Sequence, residues 1–284
     1  MTTMLKPFFL FFVLTMTLFG TAYTANKNMQ VTVNDPTRQQ GEFFTVTLTN
    51  SAEEPSLQFL EHPYRMFRQS DGSWRALVPV ENLTLPGNYN LLVRAKEREE
   101  QVPVTIKPNN RAIQHITLDS SKAALKATEI EKSRVKAALL TQSPEQLFAG
   151  TFLRPTDGAT SSLFGLKRSY NGGPVESYHK GIDIAAPEGA PVKSTAKGIV
   201  ILTGTVEEGF QVNGNTVIID HGQGLISLYL HLSTIKAKEG ETLEAGSVIG
   251  TVGHTGISTA PHLHWGTCLY GTSVNPELFE GNSL

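Results

Sequence analysis

His262 and His264 stand two residues apart in the stretch Ala260-Pro261-His262-Leu263-His264-Trp265. Alternate residues of a strand share one face and lie only about 7 Å apart, so both imidazoles enter one site. Converging imidazoles point to a metal ion. A zinc site that does chemistry usually takes three protein ligands and leaves a fourth position open, so the pair needs a distant partner. Tyr178-His179-Lys180-Gly181-Ile182-Asp183-Ile184 offers an imidazole and a carboxylate four residues apart. Fully extended, His179 and Asp183 are roughly 13 Å apart, too far to bind one ion at about 2 Å, so a turn must intervene. Gly181 permits that turn, while Ile182, Ile184 and Pro187 oppose a helix. A third element is Leu228-Tyr229-Leu230-His231-Leu232. Its alternating leucines read as a core face, which puts His231 on the opposite face at a strand end open to a groove. The remaining histidines, His62, His115, His221 and His254, fall outside such elements. His221 reads as part of a hairpin turn, Asp220-His221-Gly222-Gln223-Gly224, and His254 as a residue of a glycine-flanked loop.

Taken together, His179-x-x-x-Asp183, Leu230-His231-Leu232 and the run from Gly250 to His264 resemble the lysostaphin-type zinc metallopeptidases, which are cell-wall endopeptidases. The resemblance extends from about Phe148 to Phe279 and includes Thr160 to Gly165 and Val274-Asn275-Pro276. It implies that His179, Asp183 and His264 bind Zn2+, and that His231 and His262 stay off the metal and act on water and substrate. Spacing alone does not assign His262 and His264 to different roles. Ala260 departs from the glycine usual before Pro-His-Leu-His in this family, a change that removes no ligand. A subset of the family also carries a small β-domain and a helical connector before the peptidase, and the order of segments here is similar.

The elements that must position these residues are mainly β. Residues 1–25 hold one basic residue, Lys6, then an apolar run from Pro7 to Gly20 and small residues, the layout of a secretory signal peptide. The run is shorter than the roughly 20 residues of a membrane span. No cysteine follows it for lipid attachment, and the expected location is therefore periplasmic or secreted. Residues 26–110 read as an Ig-like β-sandwich, with strands near Met29 to Val33, Phe43 to Leu48, Trp74 to Val80, Tyr89 to Val93 and Val102 to Ile106. Trp74 and Tyr89 belong to its core. Residues 111–147 form a helical connector, with one helix expected from Asp119 to Leu140, capped by Ser120 or Ser121 and presenting Leu125, Ile130, Val135 and Leu139. The connector reads as a spacer helix packed against one domain; the alternative is that this helix or the sandwich covers the groove and regulates access. Residues 148–284 read as a compact β-domain of the lysostaphin type, with a duplicated-hybrid-motif-like fold. Its glycine-rich loops, Val206 to Asn215 and His254 to Ser258, are expected to wall a groove for an extended peptide.

Charge and cysteine content narrow the function further. With 24 basic and 26 acidic residues the formal charge is −2, and no stretch joins basic residues to aromatics, so nucleic acid is not indicated. Cys268 is the only cysteine, which excludes an intramolecular disulfide and reads as a small buried hydrophobe. No H-E-x-x-H helix supplies a glutamate base, so proton handling falls to His231 and His262, one acting with zinc on water and the other on the oxyanion or the leaving amine. The substrate that the resemblance implies is a peptide crosslink or stem of peptidoglycan, with D-Ala to diaminopimelate favoured over glycine-rich bridges. The chain is expected to be a monomer that binds peptidoglycan peptides, and its N-terminal domain is where a regulatory protein partner would engage if there is one. The rival reading is a non-catalytic scaffold or activator of other wall hydrolases.

Overall fold

A computed structural model describes residues 29–282. The signal-peptide segment lies outside them. Two sheets form the N-terminal sandwich. One runs Gln30–Asn34, Phe43–Thr49, Trp74–Pro79 and Phe67–Arg68; the other runs Thr37–Gln39, Arg98–Lys107, Gly87–Ala95, Ser56–Phe59 and His62–Arg65. Alternation along Phe43–Thr49 buries Phe44, Val46 and Leu48 against Leu57, Phe59, Leu91 and Val93 of the facing sheet. Trp74 is buried in this core and Tyr89 packs against it.

The connector is not one helix. Asp119 caps a single turn, α1 (Ser120–Ala123), and Thr128 caps α2 (Glu129–Leu139). The chain restarts at Thr128 because its hydroxyl accepts the Glu131 N–H, a local bond that competes with a continuous helix. Leu125 falls in the break and Ile130 is exposed, so the contact face is made by Val135, Ala138 and Leu139.

The C-terminal half is built on an eight-stranded antiparallel sheet whose centre runs Ile182–Ala185, His262–Leu269, Leu225–Leu232, Asn215–Asp220 and Gly198–Gly204. One face buries Ile182, Ile184, Leu263, Trp265, Val217 and Tyr229, over which a small sheet of Pro191–Lys193, Val248–Thr251 and Thr234–Ile235 folds. The other face presents Ile218, Ile226, Leu228, Leu230 and Cys268 toward α2. A third cluster fixes sandwich to sheet: Phe43 and Leu77 pack with Phe148, Phe152, Leu225, Leu269 and Phe279, and Phe43 stacks on Phe279 at 5.2 Å.

His221 does lie in the hairpin turn, yet it is fully buried. Its Nδ1 bonds the Lys197 carbonyl at 2.8 Å and its Nε2 lies 2.7 Å from Ser227 Oγ, which bonds the Tyr229 hydroxyl. Burial pushes this imidazole down to about 4. The folded chain therefore refuses a proton that the unfolded chain accepts near pH 6.5. Stability is fully present above that value and is lost as pH falls toward 4. Between pH 7.5 and 5 the cost from this residue is about 2 kcal/mol. Urea unfolding of the wild type and of His221→Gln at both values checks it: the wild type is expected to lose more stability than the variant by that amount, and equal losses would contradict it.

Candidate metal centre

Each functional side chain is aimed by the residues beside it. Because Ile182 and Ile184 are buried in the core, Asp183 must face the other side of its strand; Leu263 and Trp265 impose the same on His262 and His264. Asp183 and His264 are direct partners across adjacent strands. His179 follows the Val175–Tyr178 strand and reaches the same point across a bend. Gly181 is needed there for proximity, since a Cβ would strike the Trp265 carbonyl and the His264 ring, and its φ is not positive.

The result is a triangle of donors. His179 Nε2 lies 2.9 Å from Asp183 Oδ1 and 3.0 Å from His264 Nδ1, and the last two are 2.9 Å apart. Ligands about 2.0–2.1 Å from a tetrahedral zinc sit about 3.3 Å from one another, so a few tenths of an ångström of expansion admits the ion. The donor chemistry also fits. His179 Nδ1 lies 3.0 Å from the Leu163 carbonyl, where it donates its proton and leaves Nε2 as a lone-pair donor. The His179 side chain is fully buried, whereas Asp183 and His264 keep 13% and 12% exposure on the groove side, an open approach for a fourth ligand. Burial pushes His179 down to about 4, with the Asp183 hydrogen bond opposing the shift. For Asp183 burial acts to raise the carboxyl, but the imidazoles of His179 and His264 beside Oδ1 outweigh it and hold it well below the usual carboxylate range. A neutral His179 imidazole and an ionised Asp183 carboxylate are protonation states that binding a divalent cation requires.

Arg168 completes the carboxylate's environment, and nothing in its sequence context marked it. Its Nη2 donates to Asp183 Oδ2 at 3.2 Å, which leaves Oδ1 turned to the two imidazoles. Arg168→Met is expected to weaken metal affinity by about 10–100-fold, the usual loss when such a supporting partner is removed. A zinc competition titration with a chromophoric chelator reads it, and unchanged affinity would remove Arg168 from this role.

His231 reaches the groove differently from the strand reading. Strict alternation would put it on the Tyr229 face, inside the core. Instead the ladder shifts register between Asn215 and Val217, and His231 adopts φ +64°. This bulge turns His231 to the side of Leu228 and Leu230 and sends Leu232 into the opposite core with Tyr229. The three leucines therefore do not form one core face. The bulge is held by both glycine-rich loops: the His231 N–H donates to the Asn213 carbonyl at 3.0 Å, and His231 Nδ1 lies 2.8 Å from the Thr255 carbonyl. Gly256 lets those loops interlock, since a Cβ there would meet the backbone of Gly214 and Val212.

His262 Nδ1 is fixed in the same way on the Ala260 carbonyl, at 2.8 Å. Ala260 is exposed, and it is its carbonyl that serves the site. The rings of His231 and His262 lie 5.0 Å apart, and His262 Nε2 is 3.7 Å from Asp183 Oδ1. Each ring thus has one nitrogen committed to a carbonyl and Nε2 left for chemistry. Burial, and then His262 and His264 beside it, push His231 down to about 3, so it is neutral.

A cavity of about 570 Å³ leads from His231 and His264 along Leu230, Leu228 and Cys268, beneath Val135 and Leu139 of α2. Cys268 is buried, its thiol pushed up to about 11. His254 pairs with Glu188 at the surface, apart from the donor triangle.

Comparison with known proteins matches this geometry to one group. The model of Peptidase family M23 matches residues 177–276. The DD-carboxypeptidase/endopeptidase Mpg of Neisseria meningitidis is 46% identical over 98 residues, which cover 34% of this chain and 22% of Mpg. The murein hydrolase activator NlpD of Salmonella typhimurium is 37% identical over 122 residues, 43% of this chain and 29% of NlpD. The chain thus spans less than a third of the length of either curated relative. A solved structure of a Pseudomonas aeruginosa protein assigned to peptidase M23 is 33% identical, with a TM-score of 0.66, and the match covers 87% of this chain and 96% of that one. At 33% identity over a match that takes in nearly all of that protein, the chain belongs to the M23 peptidase family.

Proposed function

We propose that the chain is a zinc-dependent endopeptidase that hydrolyses peptide crosslinks or stems of bacterial peptidoglycan, with the D-Ala to diaminopimelate bond as its target, and that it works in the periplasm or after secretion. The observation that carries this reading is the union of a complete donor triangle with two further histidines whose Nε2 atoms are free. Zinc held by His179, Asp183 and His264 supplies Lewis acidity to the scissile carbonyl and acidity to a water molecule. His231, neutral and with Nδ1–H bound to Thr255, accepts the water's proton at Nε2. The donor's part, toward the oxyanion or the leaving amine, falls to His262 on the open side of the groove, and its Nε2 donates in the imidazolium form because Nδ1–H is held by the Ala260 carbonyl. The cavity floor of Leu228 and Leu230 orients an extended peptide, and its walls exclude water from the bond being cut.

The matched segment of Mpg, a DD-carboxypeptidase/endopeptidase, supports this substrate class. The similarity to NlpD, a murein hydrolase activator, favours a second reading in which the chain binds and activates another hydrolase. Incubation with diaminopimelate-type sacculi and, separately, with glycine-bridged walls distinguishes them. Release of uncrosslinked peptides from the first supports the proposal. Cleavage of the second alone would move the substrate to glycine bridges, and stoichiometric zinc with cleavage of neither would favour the activator.

Access to the site is regulated, in this reading, by the start of the connector. The Ile113–Ile116 strand pairs in parallel with Lys167–Tyr170, and Ile116 and Leu118 share a small cavity with Asp183, His231, His262 and His264. Asn171 binds this segment twice, donating its N–H to Ile116 and accepting from Leu118, and Lys122 Nζ donates to the Gly256 carbonyl at 2.6 Å. It acts as a strap across the entrance.

A further inference from the structure

Glu131 is the most deeply buried charged side chain of the connector, 2% exposed. Thr128 and Glu131 have the spacing of a capping box, in which the glutamate would turn back to the N-terminus of its own helix. It does not. Its carboxylate leaves the helix and accepts from the backbone of the groove-wall loop: Asn213 N–H at 2.7 Å, Gln211 N–H at 3.0 Å and Val212 N–H at 3.1 Å. Gln211 shares its N–H with Gly209, but for Val212 and Asn213 the glutamate is the only acceptor among the described residues. Successive N–H groups aimed at one point form an anion-binding nest, and a buried carboxylate is tolerated only where such donors replace its water.

The nest belongs to the peptidase and its occupant does not. Asn213 donates its N–H to Glu131 and accepts the His231 N–H on its carbonyl, so the nest is one peptide unit from the bulge that aims His231. Val212 and Asn213 line the same cavity as His231 and His264, together with Leu228, Leu230 and Lys180. That cavity therefore joins apolar side chains to a cationic one, suited to a peptide with a free carboxylate.

We propose that the Gln211–Val212–Asn213 amides are a carboxylate-binding subsite of the groove and that Glu131 is its intramolecular ligand, replaced by a carboxylate of the peptide substrate when α2 lifts. The assignment of a peptide to this groove rests on the endopeptidase reading; the nest itself does not. In Glu131→Ala the atoms removed are those of acetate. Isotope-labelled, zinc-loaded full chain is titrated with acetate and with acetamide, following the three amides by NMR in wild type and variant. The expected result is a saturable shift at millimolar acetate in Glu131→Ala, none with acetamide, and none in wild type, where the nest is filled. An acidic tripeptide should move the same amides and its fully amidated counterpart should not.

A folded Glu131→Ala chain without a saturable acetate response would overturn the proposal. Acetate binding without any response to the tripeptide would reduce the nest to an anchor for α2 and overturn its role toward substrate. Should Glu131→Ala not fold, Glu131→Gln keeps the side-chain volume, and its three amides should move upfield as charged acceptors become neutral; amides left in place would count equally against the proposal. None of these shifts needs turnover, so a chain that cleaves nothing would still show them.

Discussion

Zinc should stay bound in His231→Ala while peptide cleavage falls by about 10²–10⁴-fold, the range lost with a general acid or base. His231 lies outside the donor triangle, and its Nδ1 is committed to the Thr255 carbonyl. For Asp183→Ala the order reverses, with metal lost first and activity following, because Oδ1 forms two edges of that triangle. Metal content by atomic absorption beside the cleavage rate separates the two behaviours. Backbone strain complicates the alanine, since φ +64° suits few residues. His231→Asn tolerates that region and is the matched control: it too should keep zinc and lose turnover. Zinc lost from His231→Asn would place this residue among the ligands and contradict the assignment.

Loosening the strap should raise activity. Leu118 and Ile116 line the small cavity that holds Asp183, His231, His262 and His264, and Lys122 ties the following turn to the Gly256 carbonyl. A charge-assisted hydrogen bond contributes about 1.5–3 kcal/mol, so its loss with the Leu118 contact shifts the closed-to-open ratio by at least about tenfold. Leu118→Asp combined with Lys122→Ala is therefore expected to raise kcat/KM on crosslinked peptides by roughly that factor. Point changes are preferable to deleting residues before Ser143. Such a deletion would strip Phe43 and Leu77 from Phe148, Phe152 and Phe279 and expose a shared core. Unchanged activity in a well-folded double variant would show that the segment does not gate the groove.

How much of this was legible beforehand depends on whether the signal was periodic. The ladder Ile182-Asp183-Ile184 against Leu263-His264-Trp265 follows plain alternation, so core and site faces could be read from residue types. His231 could not be placed that way. Its strand carries a bulge set by Asn213 and Thr255, which lie 18 and 24 residues away, and local alternation predicts the wrong face. Arg168 was invisible because one arginine among 24 basic residues has no spacing to mark it; only the fold sets it on Asp183. The break between α1 and α2 did leave a trace, Thr128 with Glu131 three residues on. A run rich in Ala, Lys, Leu and Glu hid it, since those residues favour helix on both sides. The sandwich showed the same limit: its long, apolar strands were recognisable, but Ser56–Phe59, His62–Arg65 and Thr37–Gln39 are edge or near-edge elements of only three or four residues, too short for alternation to mark them.

The most direct test of the zinc endopeptidase reading strips the purified protein with a chelator, returns one equivalent of zinc, and follows crosslinked dimeric muropeptides from diaminopimelate-type sacculi by mass spectrometry. The expected result is conversion of dimers to monomers by the zinc-loaded wild type, absent in the stripped protein and in zinc-treated His264→Ala. Dimers left intact by a folded, zinc-loaded wild type and by the Leu118→Asp, Lys122→Ala chain would contradict it.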